Sequence, residues 1–275
     1  MDTEEIRQQF AAQAALADDE IDLARAAFLI AATEYPSLEV EQQLGVLDSL
    51  AAAASTRLGD RSNALACVNA LSEYLFDELG FHGNQEDYYD PRNSFLNDVL
   101  SRRLGIPITL ALVCIEVGKR LGVPLVGVGM PGHFLLKHWD EQELFIDPFN
   151  RGIILTEEEC AQRLGQVTQS NVAWDPRYVA TVNNRDYVTR ILRNLKGIYL
   201  SRTDHSRALS IVELMLILQP AAIEERRDRG IIHYNLGQYG DALNDLQDYL
   251  EAAPPGSDTA PEERLVGRIR ELQGS

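Results

Sequence analysis

The sequence predicts an α+β chain: a helix-rich first domain with a small antiparallel sheet, followed by an all-helical repeat region. Three observations predict it. Apolar residues recur at helical spacing with few breakers as far as residue 122. From 123 to 155 the pattern becomes short β-branched or aromatic segments punctuated by glycine and proline. The last third then repeats itself with a thirty-four-residue period.

Residues 3–35 and 37–80 carry the first helices, with breaks at Tyr35-Pro36 and Leu58-Gly59-Asp60. The loop GFHGNQEDYYD leads to Asp90-Pro91, an N-cap followed by proline at the first helical position. RNSFLNDVLSRRLG reads as one helix ending at Gly105, and Pro107 starts the next, ending at Gly122. This second helix is apolar nearly all round in its first half, so it is expected to be buried on several sides. VPLVGVGM, HFLLKH, ELFIDPF and RGIIL follow as antiparallel strands, and from about 156 the pattern is helical again.

Setting residues 189–222 over 223–256 aligns Ala208 with Ala242, Val212 with Leu246, Leu216 with Leu250 and Pro220 with Pro254. Gly230, Gly237 and Tyr239 stand where a tetratricopeptide pattern has small and aromatic residues. Small side chains at these places let stacked helices approach closely. Two repeats seldom bury enough surface alone, so they are expected to dock on the preceding domain, with PEERLVGRIREL at 261–272 as a capping helix. The expected domains are residues 1–90, a helical part of the first domain; 91–175, its core; and 185–275, the repeats with their cap.

Composition limits the function. The chain has 275 residues, 45% hydrophobic and 24% charged, with a formal charge of −17. Nucleic acid and anionic membrane both demand a basic footprint, so neither is an expected partner. Cys67, Cys114 and Cys160 are odd in number and widely spaced, which fits neither a disulfide framework nor a zinc site and points to a reducing cytoplasm. The N-terminus lacks the order of a signal peptide, and IPITLALVCIEV is too short to span a bilayer. A soluble, cytoplasmic protein is expected. His82, His205 and His233 lack ligand spacing, so no metal and no cofactor are expected.

The chemistry concentrates in PGHFLLKHWDEQELFIDPF. If the hairpin turn is Trp139–Glu141, His133 stands opposite Asp147, with Leu135 and Phe145 on the same face; a one-residue slip would separate the pair. A carboxylate opposite an imidazole fixes its tautomer and stabilises its protonated form, as a base and its orienter require. The alternative is that Asp147 caps the turn before Pro148 and His133 is a half-buried edge residue.

YYDPRNSFLNDVLSRRLGIPITLAL, PGHFLLKH, FIDPFNRG and LTEEEC, followed by the repeats, resemble the bacterial SirB-type family. Its members join a transglutaminase-like core, of the papain-like fold class, to tetratricopeptide repeats. The resemblance covers roughly residues 15–255 and implies that His133 and Asp147 match the general base and its orienter. In the transglutaminase pattern a nucleophilic cysteine opens the buried helix, around Pro107 to Thr109, where this chain reads Pro-Ile-Thr. A helix N-terminus activates a thiol, whereas a threonine hydroxyl stays protonated near neutrality. Thr109 also lacks the free N-terminal amine that threonine nucleophiles usually use. Cys114 is a second candidate, placed mid-helix in an apolar setting.

Asn93 and Asn97 either point amides toward the cleft or tie a loop's backbone. By resemblance to tetratricopeptide arrays, Arg190, Arg193 and Arg227 line the concave face of the repeats. There they would hold an acidic peptide through bidentate hydrogen bonds, or pair internally with Glu224, Glu225 or Asp228. The leading functional expectation is a non-catalytic or weakly catalytic binding and regulatory protein with a protein or peptide partner. The alternative is an amide hydrolase or acyl transferase with an altered nucleophile.

Overall fold

A computed structural model describes residues 1–59, 63–139, 144–168 and 173–274. By spatial proximity the chain divides into two units: Leu16–Ile191 with Met1, and Asp2–Ala15 with Leu192–Ser275.

In the second unit α1 (Thr3–Ala14) packs against α9 (His205–Leu218). Ile6 and Phe10 are its buried residues, and Arg7 pairs with Glu213. The sequence placed residues 1–90 with the first domain; these contacts group the first helix with the repeats instead. The repeats run α8 (Asn184–Ser201), α9, α10 (Ile223–Asn235), α11 (Tyr239–Ala252) and α12 (Ala260–Gly274). Their second helices, α9 and α11, start thirty-four residues apart, and Ala208, Val212, Ala242 and Leu246 are fully buried. A Cβ on Gly230 would meet Leu246 Cγ at 2.9 Å, so α10 approaches α11 only because that position carries no side chain. Gly230→Val is expected to destabilise the chain by about 1–3 kcal/mol, read as a lower urea midpoint; an unchanged midpoint would refute the close-approach argument.

The first unit is built around α2 (Leu23–Ala32) and α6 (Pro107–Leu121). Leu23 and Ala24 and every residue from Ala26 to Ala32 are buried, as are Pro107–Gly118, so both helices are enclosed rather than amphipathic. α3 (Val40–Ser55), α4 (Ala64–Ser72) and α5 (Leu96–Arg102) pack on α6, and α4 continues into a wider π-helical stretch, Glu73–Glu78. Arg120 ties α6 to α3 through Asp48 at 2.6 Å and also holds the buried Glu116 at 2.6 Å.

The predicted single helix 92–105 is interrupted. Asp90 caps a short 3-10 turn, Pro91–Asn93, before α5 begins; Arg103 is left-handed with φ 59°, and Leu104–Gly105 (β2) pairs in parallel with His82–Gly83 (β1). The left-handed residue ends the helix and lets the chain turn into β2.

The four predicted strands form one antiparallel sheet in chain order: β3 (Leu125–Val128), β4 (Leu135–His138), β5 (Phe145–Asp147) and β6 (Ile153–Leu155). Leu136 pairs with Ile146 and Lys137 with Phe145, so β4 is displaced by two residues from the predicted register. A two-residue shift preserves side-chain parity, so the face assignment survives although the opposed residues change. The predicted turn Trp139–Glu141 lies mostly outside the described residues. α7 (Glu157–Thr168) covers one face, where Leu135, Phe145, Cys160 and Leu164 share a core. His138, the last residue of β4, is buried.

Candidate functional site

His133 stands just before β4, at the end of a tight turn. Gly132 supplies φ +70°, and the His133 amide donates to the Met130 carbonyl at 3.1 Å. The imidazole reaches Asp147 at the end of β5, with Nε2 and Oδ2 2.9 Å apart; the aspartate is fully buried and the histidine nearly so. Nε2 is thus the nitrogen held by the carboxylate, and Nδ1 is turned away from it.

Asp147 is also a cap. Its Oδ1 accepts from the backbone N–H groups of Phe149 and Asn150, at 3.1 and 3.2 Å, and Oδ2 accepts from Asn150 Nδ2 at 2.9 Å. Arg163 of α7 brings Nη1 to 3.1 Å from Oδ2. Burial pushes the carboxyl upward, but the hydrogen bond and charge of His133, the Asn150 amide and the Arg163 charge outweigh it and hold Asp147 below its ordinary value. Asp147 therefore both bonds the His133 ring and caps the turn that follows it.

The surroundings of His133 are aromatic and cationic. The Phe149 ring meets the imidazole edge-on at 6.2 Å, and Tyr88 meets Phe149 at 5.9 Å. Gly83 is required here, because a Cβ would sit 2.4 Å from the Phe149 ring. Arg190 donates from Nη2 to the carbonyls of Met130 and His133 at 3.3 and 3.2 Å and lies over the Phe134 ring at 5.2 Å. Tyr187, one turn earlier, stacks edge-on against Phe134 and donates to the Ile108 carbonyl at 2.6 Å, which ties the histidine loop to the start of α6.

The two nucleophile candidates are both buried. Thr109, fully buried, donates its hydroxyl to the Asn93 carbonyl at 2.6 Å, and its Oγ1 accepts from the Ile106 N–H at 3.2 Å. That second bond is half of a capping box, closing one of the free amides at the helix start. Thr109→Val is expected to destabilise the chain by about 1–3 kcal/mol, with Thr109→Ser close to wild type by thermal melting; equal losses in both would refute the hydroxyl's role. Cys114 is buried, and burial pushes its thiol up to about 12, far from thiolate chemistry.

Asn93 ties the loop. Its Nδ2 donates to the Asp87 and Tyr88 carbonyls at 2.7 and 3.2 Å, and its Oδ1 accepts from Asn84 Nδ2 at 3.1 Å. Among the described residues, Asn97 Oδ1 and Ser94 Oγ are buried without a hydrogen-bond partner. Of the three arginines assigned to the repeat groove, Arg190 belongs to the first unit and holds the histidine loop, because the first two turns of α8 pack there. Arg193 is exposed, and Arg227 pairs with Asp228 at 2.8 Å and faces Tyr249.

Sequence reasoning missed Arg163, Asn150, Tyr187 and the bracing role of Arg190. Only Asn150 had a signal, its place in the turn after Asp-Pro. Also missed is an open cleft of about 360 Å³ in the second unit, lined by Arg7, Arg226, Arg229, Leu216, Ile217 and Pro220.

A buried helix start, two antiparallel strands carrying a coupled histidine and aspartate, and a following helical repeat define a transglutaminase-like core joined to tetratricopeptide repeats. The family comparisons agree. Residues 41–193 match the transglutaminase-like superfamily, and residues 195–273 match the tetratricopeptide repeat. A UPF0162 protein of Xylella fastidiosa strain Temecula1 is 40% identical over 242 residues, covering 86% of both chains. One from Vibrio cholerae is 30% identical over 238 residues, covering 86% of this chain and 88% of that one. The human F-box only protein 21 is 28% identical over 208 residues, spanning 69% of this chain and 32% of its own length. No solved structure matches. The chain belongs to the UPF0162, SirB-type family of transglutaminase-like proteins with tetratricopeptide repeats.

Among the described residues, no helix is long and apolar enough to cross a membrane.

Proposed function

We propose that the chain is a binding and regulatory protein that uses the His133–Asp147 region for recognition and the repeats for docking a peptide segment of a protein partner. The observation that carries this reading is the fate of Thr109. At the place where the transglutaminase pattern has its thiol, this chain has a hydroxyl whose proton goes to a backbone carbonyl 2.6 Å away. A hydroxyl so committed is a poor nucleophile, and a base with its orienter and no nucleophile completes no acyl transfer. Tetratricopeptide repeats fit a protein-binding role, and exposed Arg193 fits an acidic peptide.

The second reading, a hydrolase or acyl transferase with an altered nucleophile, draws on the His133–Asp147 geometry, which leaves Nδ1 directed away from the carboxylate. One experiment separates them. Wild type, His133→Ala, Thr109→Ala and Cys114→Ala are assayed for hydrolysis of amide and peptide substrates. No His133-dependent turnover is expected. A clean turnover lost in His133→Ala and in one of the other two variants would establish the enzyme reading.

A further inference from the structure

By resemblance to tetratricopeptide arrays the concave face of the second unit belongs to the first helices, α8 and α10, with Arg193 and Arg227. The open cleft sits against the second helices instead. Glu213, Leu216 and Ile217 come from α9, and Arg7 from α1, which packs on α9. Arg226 and Arg229 come from α10 but reach Asp248 and Asp245 of α11. Arg7 also lies outside the 195–273 repeat match, so the cleft is not made by the repeats alone. Its volume of about 360 Å³ is within the range of ligand clefts, about 300–1,000 Å³.

Its three guanidiniums are paired but not used up. A guanidinium has five N–H donors in a fixed fork, and a carboxylate takes one or two of them. Arg229 gives Nε and Nη2 to Asp245, at 2.7 and 2.6 Å, and Nη1 takes no part in that fork. Arg226 gives Nη1 to Asp248 at 3.0 Å, and the Asp248 side chain is 55% exposed. An exposed pair of this kind is worth little, so an incoming carboxylate displaces it at small cost. Arg7 and Glu213 neutralise each other, and Arg7 keeps N–H groups for a ligand. Asp245 is covered, and Asp241 near Arg229 is exposed, where water screens its charge. Leu216 and Ile217 are half-buried and Pro220 is exposed. Beside the cations there is thus an apolar wall, which a bare inorganic anion would leave wet.

We propose that this cleft docks an acidic peptide segment, with a carboxylate side chain between Arg226 and Arg229 and a neighbouring aliphatic side chain on Leu216 and Ile217. The guanidinium forks select the carboxylate, and the apolar wall selects a peptide over a free anion. The proposal deepens the functional reading above and rests on the repeats being the docking unit. It moves the dock from the concave face to the cleft that α1 completes.

The test titrates the full-length chain, labelled with ¹⁵N, and reads the Nε–Hε signals of its arginines, each assigned by its own Arg→Met variant. The probes are acetyl-Leu-Glu-Leu-Asp-Leu-amide, its Gln and Asn analogue, and inorganic phosphate, at equal concentration. The acidic peptide is expected to shift the Arg226 and Arg229 signals, and the analogue and phosphate to shift them less. An equal response to the analogue or to phosphate overturns the proposal, and needs no variant to fold. Arg226→Met is expected to weaken the peptide by about tenfold, the effect of one lost charge-assisted hydrogen bond. Asp248→Asn is expected to strengthen it, because Arg226 is then released. A folded Arg226→Met chain that binds as wild type does, or an Asp248→Asn chain that binds no better, overturns the assignment. Shifts at Arg193 and Arg227 without shifts at Arg226 and Arg229 overturn the cleft and leave the docking reading standing. No shift at any of the four overturns both.

Discussion

Asp147→Ala is expected to be among the most destabilising single changes in the chain, by about 3–5 kcal/mol, the range for breaking a buried ion pair by removing one partner. It strips the Asn150 turn of its cap and leaves His133 Nε2 and the Arg163 guanidinium facing an apolar gap. His133→Ala keeps the capping bonds and the Arg163 pair, so its loss should be smaller, about 1–3 kcal/mol. Urea unfolding of the two variants checks the order, and an Asp147→Ala midpoint within error of wild type would refute the assignment. The acid side adds a second reading. The Asp147 carboxyl lies below its ordinary value in the folded chain, so its contribution is fully present above the unfolded carboxyl range, near pH ~4. It is lost as pH falls through the folded value. Asp147→Asn should therefore flatten the fall of stability on the acid side of that range.

Lys196→Met is the second large expected effect, at about 3 kcal/mol, the lower end for a buried pair. Lys196 of α8 holds Glu225 at 2.5 Å and Asp228 at 2.8 Å on α10, and Glu225 is 9% exposed. Removing the ammonium strands two carboxylates between the first helices of the two repeats. Asp228 is more accessible, at 20%, and keeps Arg227, which limits the loss. The double variant Lys196→Met with Glu225→Met should recover part of the stability, because it no longer buries an unpaired charge. A double variant less stable than the single one would show that the pair is worth more than its desolvation.

The elements that a sequence marks through repetition were legible. The thirty-four-residue offset located α9 and α11, and the switch to short β-branched segments located all four strands. Parity brought His133 and Asp147 together because side-chain facing depends only on odd or even displacement; the register itself was off by two, since the turn length carries little pattern. The break inside 92–105 was not legible. Arg103 is a poor candidate for a left-handed residue, and the short β1–β2 pairing that follows it is a tertiary choice. Arg163 and Tyr187 had no signal, because a contact between a helix and a distant strand or helix start leaves no local period. Arg190 was misplaced for a related reason: the repeat register runs smoothly through α8, while the packing of that helix changes after Ile191.

The pairing of α1 with α9 has a consequence for the order in which the chain is made. Arg7 and Glu213 are 206 positions apart. At about 5–20 residues per second, a ribosome needs about 10–40 s to pass from one to the other. For most of that interval Ile6 and Phe10 exist without the helix that will cover them. Helix α1 thus finds its place only after α9 is made, and a nascent chain halted before residue 205 should still show it open to protease.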